Sequence, residues 1–328
     1  MKKKILAIFA SAAMCLGLCG CGNTATSSTT SSTANNSSAD KTSSVASQTS
    51  ATESASADNT DWNYIKNKGE MIVGITYNMP MNYQDENGEL TGFETEFTKA
   101  VCEKLGVTPK FQVIEWSKKE IELKAKTIDV IWNGLTVTEE RKENILFSTS
   151  YLKNKQVTVV KAENADKYPD TASMANISIA FESGSAGEDI IKNDAALKDC
   201  KQVNCEAQKD AMLEVKSGTA DACIVDYTLA KAFTKEGTDY SDLKVLENIQ
   251  NTDEEYAIGA RLEDKETISK INAAIDEVAK DGTLKAIAEK YDLADALLVG
   301  GESTASDVSA VSTAESEVSA VSSESTAA

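Results

Sequence analysis

The sequence predicts an α/β protein in two lobes. Three observations carry this: short β-rich runs alternate with amphipathic stretches, the alternation occurs twice, and both series lie within 240 residues that hold every aromatic residue except Phe9. In order, MIVGIT from Met71 reads as a strand. ETEFTKAVCEKL from Glu94 reads as a helix, because Phe93, Phe97, Val101 and Leu105 fall four apart on one face. KFQVIE (110–115) is a strand, SKKEIELKA (117–125) a helix and DVIW (129–132) a strand. The second series runs through QVTVV (156–160), NISIAF (176–181), a helix from about Gly187, a helix from Glu206 to Val215, the run DACIVDY (221–227) and a helix through Leu229 and Phe233. After Asn251 come one strand, EYAIGAR (255–261), and two helices, one spaced through Ile268, Ile271, Ile275 and Val278, the other through Leu284, Ile287 and Tyr291. Periodicity does not say which sheet that last strand joins.

The ends read differently. Lys2, Lys3 and Lys4 precede an apolar run from Ile5 to Leu18 and a small residue at Gly20, the layout of a secretory signal and too short for a membrane span. Cys21 has Leu18 three places before it and Gly20 just before it, the setting of a lipoprotein box, which Cys15 and Cys19 lack. Residues 22–60 include 12 Ser, 9 Thr and 7 Ala and no aromatic residue, a composition that cannot bury enough apolar surface to offset ordering. A flexible tether with a reach of roughly 35 Å is expected there. The acidic tail from Gly301 to Ala328, in which SDVSAV returns as SEVSAV, reads as solvated low complexity.

Charge and composition exclude much. The chain has 52 acids against 33 Lys and Arg, a formal net charge of -19, so a basic nucleic-acid footprint is absent. It has no histidine, which removes His-based acid–base catalysis, Ser-His and Cys-His triads and His-ligated zinc. No cysteine spacing matches a zinc site, so no metal or other cofactor is expected. Cys102 and Cys223 read as inert buried thiols, and Cys200 with Cys205 could close a small disulfide loop.

Four segments offer chemistry. WNGLTVTEER (132–141) places Gly134, Thr136 and Arg141 after an apolar strand; a guanidinium there can grip a carboxylate through two parallel hydrogen bonds, although a solvated helix face is the plainer reading. ESGSAGED (182–189) joins a strand to a helix whose first N–H groups favour an anion, and it lacks the Gly-Lys-Ser/Thr ending of a phosphate loop. Asp226 closes an apolar strand, where it either receives an ammonium group or caps the helix from Tyr227. Trp116, Tyr77 and Tyr83 offer flat apolar faces near the ends of early strands. One cation, one anion, an N–H-rich turn and aromatic walls together suit a zwitterion.

These residues resemble the extracellular solute-binding proteins, family 3, of polar amino-acid ABC transporters. The resemblance covers most of the 240 residues: VGIT with MPMNYQDENGELTGFETEF (73–97), IEW at 114, IDVIWNGLTVTEERKENILFS (128–148), SGSAGED at 183 and ADACIVD at 220. It implies a two-lobed clamp of the type II periplasmic-binding-protein class with two crossover hinge strands, near Tyr151 to Gln156 and Asn251 to Tyr256. It implies a lipoprotein signal peptide at 1–20, a tether at 21–60, lobe 1 at 61–152 and 255–300, lobe 2 at 153–254 and a disordered tail at 301–328. By motif position, the Gly134 carbonyl and Asp226 would hold an α-ammonium. Thr136, Arg141 and backbone N–H groups around Ser185 and Ala186 would hold an α-carboxylate, with Trp116 packing on the side chain. The first ligand loop departs from the family pattern: Ile75 to Pro80 is short and carries no acid, so Tyr77 or Asn78 is expected to fill that place, and Glu120 to approach a basic side chain. The implied function is capture of a polar L-amino acid by a monomer, lipid-anchored through Cys21 (palmitate included) on the extracellular face of the bacterial cytoplasmic membrane, and delivery to permease subunits. The rival readings are an exported dehydratase on the same fold, using Glu182 or Asp226 as its acid, and a ligand-sensing module.

Overall fold

Two sheets, each packed on both faces, organise the chain in the computed structural model, which describes residues 60–249 and 252–300. The expected lipoprotein cysteine Cys21, most of the tether and the acidic tail lie outside the described residues. Helix α1 (Asp61–Lys68) leads into β1 (Glu70–Ile75). A ribbon of β2 (Tyr83–Gln84) and β3 (Leu90–Thr91) precedes α2 (Phe93–Leu105), and β4 (Thr108–Val113), α3 (Lys119–Lys124), β5 (Val130–Ile131), α4 (Glu139–Lys142) and β6 (Leu146–Phe147) follow. Next come β7 (Leu152–Lys161), β8 (Ser178–Glu182), α5 (Ala186–Asn193), β9 (Lys201–Cys205), α6 (Gln208–Ser217), β10 (Ala222–Asp226), α7 (Tyr227–Phe233) and β11 (Leu243–Val245). The chain closes with β12 (Thr252–Tyr256), β13 (Gly259–Ala260), α8 (Lys265–Lys280) and α9 (Thr283–Lys290).

The first sheet has the order β4-β1-β5-β13-β6, and the second β11-β7-β10-β8-β9 with β12 beside β7. The first is held by α2 and α8. The four-residue spacing of α2 turns Phe93, Phe97 and Val101 to one core, where Ile271 and Ile275 of α8 and Met71 and Val73 of β1 meet them. Phe97 meets Trp132 edge to face at 5.1 Å. Each such side chain contributes about 1.5 to 3 kcal/mol through burial. In the second sheet Ile179 and Phe181 of β8 face one core and Ala180 the other, the period-2 alternation of a strand covered on both sides.

Strands β7 and β12 join the sheets. They pair antiparallel from Leu152 opposite Tyr256 to Gln156 opposite Thr252, so the chain leaves and re-enters the first sheet side by side. EYAIGAR is therefore not one strand. Tyr256 ends β12, and Gly259–Ala260 pairs with β5 and β6 of the other sheet. A two-residue apolar alternation looks the same whichever sheet supplies the partner. The sequence also gives no sign of β9, whose KQVNC is half exposed at a sheet edge. That strand excludes the Cys200–Cys205 loop: at about 3.3 Å per residue it holds the two Cα atoms roughly 16 Å apart, beyond the ~7 Å a disulfide spans. All four described cysteines are free, and burial pushes the Cys102 thiol up to about 12.

The loop before α2 is held by close backbone approach. Gly92 has φ +121°, and a Cβ there would lie 2.2 Å from the Met81 carbonyl oxygen. Its N–H is bonded to the Tyr291 hydroxyl at 3.1 Å, which ties the loop to the end of α9. Gly92→Ala is expected to cost about 2 to 4 kcal/mol, from the left-handed backbone and the clash together. A urea-unfolding midpoint equal to that of the wild type would contradict this account.

Candidate functional site

Between the two sheets lies a tight cavity, with room for about 10 Å³, on the order of one water molecule. Its walls come from both lobes: Asn78, Trp116, Asn133, Gly134, Thr136 and Arg141 on one side, and Glu182, Ser185, Ala186, Gln208 and Asp226 on the other. Eight of the ten residues singled out from the sequence therefore meet here. Tyr77 and Tyr83 do not. Asn78 turns into the cavity, while Tyr77 beside it is 37 % exposed and lines an outer groove with Glu115 and Asp210. The turn closed by the Asn78–Asn82 bridge carries Tyr83 to β2, where it borders a pocket with Lys231 and Tyr291. Glu120 faces away too, 3.9 Å from Lys124 on the outside of α3.

The cationic side is built on buried nitrogen. Thr138 caps α4, its hydroxyl accepting from Arg141 N–H at 3.1 Å, and this fixes the helix that carries the guanidinium. Arg141 is 6 % exposed. Its Nη1 donates to the Thr136 carbonyl at 2.9 Å and its Nη2 to the Gly184 carbonyl of the other lobe at 3.3 Å. The nearest carboxylate, Asp189, is 3.8 Å away and partly exposed. Lys119 also donates to the Gly184 carbonyl, at 2.9 Å, and lies 4.8 Å over the Trp116 ring. Burial, with Arg141 second, lowers the Lys119 ammonium to about 8. Gly184 has φ +76°, and a Cβ would come within 3.0 Å of the Ser117 backbone. Only a glycine lets this loop approach so closely.

Ser185 caps α5, its hydroxyl accepting from Glu188 N–H at 3.2 Å, and its own N–H donates to the Glu182 carbonyl. Both polar groups of Ser185 thus serve the turn. The N–H groups of Ala186 and Gly187, in the first helical turn, have no carbonyl of their own helix to meet, and of the two residues Ala186 lines the cavity.

The anionic side is Asp226. It stands at the N-cap position of α7, yet its side chain makes no cap bond. Its carboxylate instead accepts from Gln208 Nε2 at 2.6 Å and from the Gln156 amide. Burial raises its carboxyl, and the two amides work against that rise. Glu182 and Glu254 are close by. Burial, with Asp226 second, pushes Glu182 up to about 8 and Glu254 up to about 7. Glu254 accepts from the Thr136 hydroxyl at 3.0 Å and from Gln156 at 3.0 Å, so a residue of the second hinge strand touches both lobes of the site.

Behind the Trp132–Gly134 turn sits a buried polar cluster. Glu94 accepts from Gly134 N–H at 2.8 Å, from Asn82 Nδ2 at 2.9 Å and from the Tyr151 hydroxyl. Asn82 also donates to Asn133 Oδ1 at 2.9 Å, and Asn133 donates to Thr76 at 2.7 Å. Burial holds the Glu94 carboxyl up at about 7. Sequence reasoning missed Glu94, Lys119, Asn133 and Gln208. Only Asn133, beside Gly134, carried a signal, its place inside a motif already singled out.

The sequence profile of the bacterial extracellular solute-binding proteins, family 3, matches residues 71–294. The chain belongs to this family. The family's architecture, a type II periplasmic-binding-protein clamp with two hinge strands, is the one described above. Among relatives, the L-cystine-binding protein TcyJ of Escherichia coli (strain K12) is 29% identical over 241 residues, covering 73% of this chain and 88% of that protein. Among solved structures, Tv2483 bound to L-arginine matches with a TM-score of 0.68 at 26% identity, over 73% of this chain and 96% of that one. The ancestral amino acid-binding protein AncCDT-1, a precursor of cyclohexadienyl dehydratase, matches with a TM-score of 0.65 at 28% identity, over 71% of this chain and 99% of that one.

The buried acids of this family member predict how stability depends on pH. A carboxyl raised above its unfolded value, 4.5 for glutamate, keeps its proton longer in the folded chain, so stability falls as pH climbs through the interval. Glu94, Glu182 and Glu254 all act in this sense up to about 7 or 8. The melting temperature of the full chain should be highest near about pH 5 and decline towards about pH 8, and Glu94→Gln should flatten the decline. A melting temperature that rises over this range would refute the assignment.

Proposed function

We propose that the protein captures a polar L-amino acid between its lobes and delivers it to the permease of an ABC importer, from the outer face of the membrane, anchored through lipid on Cys21. One observation carries the reading: a buried guanidinium, Arg141, whose nearest carboxylate is the partly exposed Asp189 at 3.8 Å, and a buried carboxylate, Asp226, come from separate lobes and line a single cavity. The α-carboxylate pairs with Arg141 and the Ala186 N–H, and the α-ammonium pairs with Asp226 and the Gly134 carbonyl. Thr136 supports the carboxylate and Trp116 packs on the side chain. Because the charged side chains that meet the two ends of the ligand, Arg141 and Asp226, come from different lobes, the closed clamp favours molecules that carry both charges. The names of the relatives, a cystine-binding protein and an arginine-bound one, support an amino acid as ligand. The Ser/Thr-rich stretch ahead of residue 61 serves as the tether in this reading.

A dehydratase on the same clamp has the AncCDT-1 likeness in its favour, and that protein is itself described as amino acid-binding. Turnover of a cyclic carboxylate by the purified protein would decide for the enzyme.

The binding reading is tested on the full chain by a thermal-shift screen with the twenty amino acids plus ornithine, citrulline and cystine. A ligand at 100 times its dissociation constant adds about 2.7 kcal/mol of stability. Arg141→Ala should then weaken the ligand found by roughly 100-fold or more in titration calorimetry, since two charge-assisted hydrogen bonds are lost. Unchanged affinity would remove Arg141 from the site.

A further inference from the structure

Glu182 holds neither charged group of the α-amino acid in that reading, yet it is built into the wall. It ends β8, is 3 % exposed and lines the cavity, and its Oε1 has no hydrogen-bond partner. A buried carboxyl oxygen left unmet is costly, so the arrangement calls for a donor. The neighbouring nitrogens leave this oxygen unmet: Gln208, which also bonds the Glu182 carboxyl, donates from Nε2 to Asp226 at 2.6 Å, and Lys119 Nζ donates to the carbonyls of Gly184 at 2.9 Å and Trp116 at 3.4 Å.

A groove on the outer side of the same chain segments is acidic. This groove, of about 360 Å³, is lined by Tyr77, Glu115, Glu206 and Asp210, with Lys209 as its one cation. It adjoins the inner cavity along three stretches of chain: Tyr77 lies outside and Asn78 inside, Glu115 outside and Trp116 inside, Ala207 outside and Gln208 inside. A cleft with an excess of one sign of charge, here three acids against one lysine, concentrates ligands of the other.

We propose that Glu182 reads the ligand's side chain, and that this side chain ends in a cation, an ammonium or a guanidinium. The assignment rests on the amino-acid reading above and narrows it to one ligand class. Glu182 supplies the acceptor for the distal cation, and the groove draws such a molecule in. Burial and then Asp226 of β10 hold the Glu182 carboxyl up at about 8, Asp210 of α6 adds to the rise, and Lys119 of α3 and Gln208 oppose it. A cationic partner restores the charge of the carboxylate, whereas a neutral or acidic side chain does not.

The test is titration calorimetry of the full chain with L-arginine, L-ornithine, L-cystine, L-citrulline and L-glutamate. At least one of the first three should bind about tenfold or more tightly than citrulline, a ratio read on the wild type without any variant. Glu182→Gln should weaken that compound by about 10- to 100-fold and citrulline by less than about threefold. If citrulline or glutamate binds best, or if the variant leaves the cation-to-citrulline ratio unchanged, the proposal is wrong. Arg141→Ala then separates the two readings. Should the tightest compound still depend on Arg141, the amino-acid reading survives and the Glu182 assignment falls alone. Should it not, or should no compound bind, both fall.

Discussion

The buried carboxyl of Glu94 ties the Gly134 turn, the first loop and the start of the hinge to one helix. It belongs to the helix that anchors the first core, and it reaches the Gly134 turn, Asn82 of the first loop and Tyr151 at the entrance to the hinge. A carboxyl in an apolar interior is costly unless its oxygens are bonded, and for Glu94 the bonding groups are the backbone and side chains that shape the site. Removing the Glu94 carboxyl would therefore act first on where Gly134 points, and only then on stability.

The two lobes divide the labour. The first supplies Arg141 and the Gly134 turn, the second Asp226 and the Ser185–Ala186 turn, and the paired strands β7 and β12 keep the two at one register. Gln156 and Glu254 lie on these hinge strands and hydrogen-bond to Asp226 and Thr136 respectively. The hinge strands thus support the site from behind, through lining residues of both lobes.

Much of this was legible in the sequence. The alternation of strands and amphipathic helices gave the two α/β lobes, and Arg141 and Asp226 stood out because each follows an apolar strand where such folds keep ligands. Glu94 did not stand out. An acid in the first turn of an amphipathic helix is the ordinary complement of the helix dipole, and nothing in local spacing shows that the turn around Gly134 will fold over it. Nothing in the sequence sets Lys119 apart from the lysines beside it; in the structure it is buried, bonded to the Gly184 carbonyl across the cleft and lying over the Trp116 ring. Tyr77 and Tyr83 are aromatic residues near strand ends, which is all that their sequence positions show. Their side chains follow the direction of a turn that composition does not reveal, and that turn faces Asn78 inward instead.

The Gly184 carbonyl oxygen accepts from Arg141 and from Lys119. An arriving carboxylate and this oxygen are rivals for the same guanidinium, so part of the attraction goes into evicting an internal competitor. If the internal contact holds the protein in the rival arrangement ten times as often, the observed dissociation constant rises about tenfold while every contact to the ligand stays the same. Lys119 steadies the competitor without lining the cavity, which makes it a tuning screw for affinity, set apart from the groups that decide selectivity.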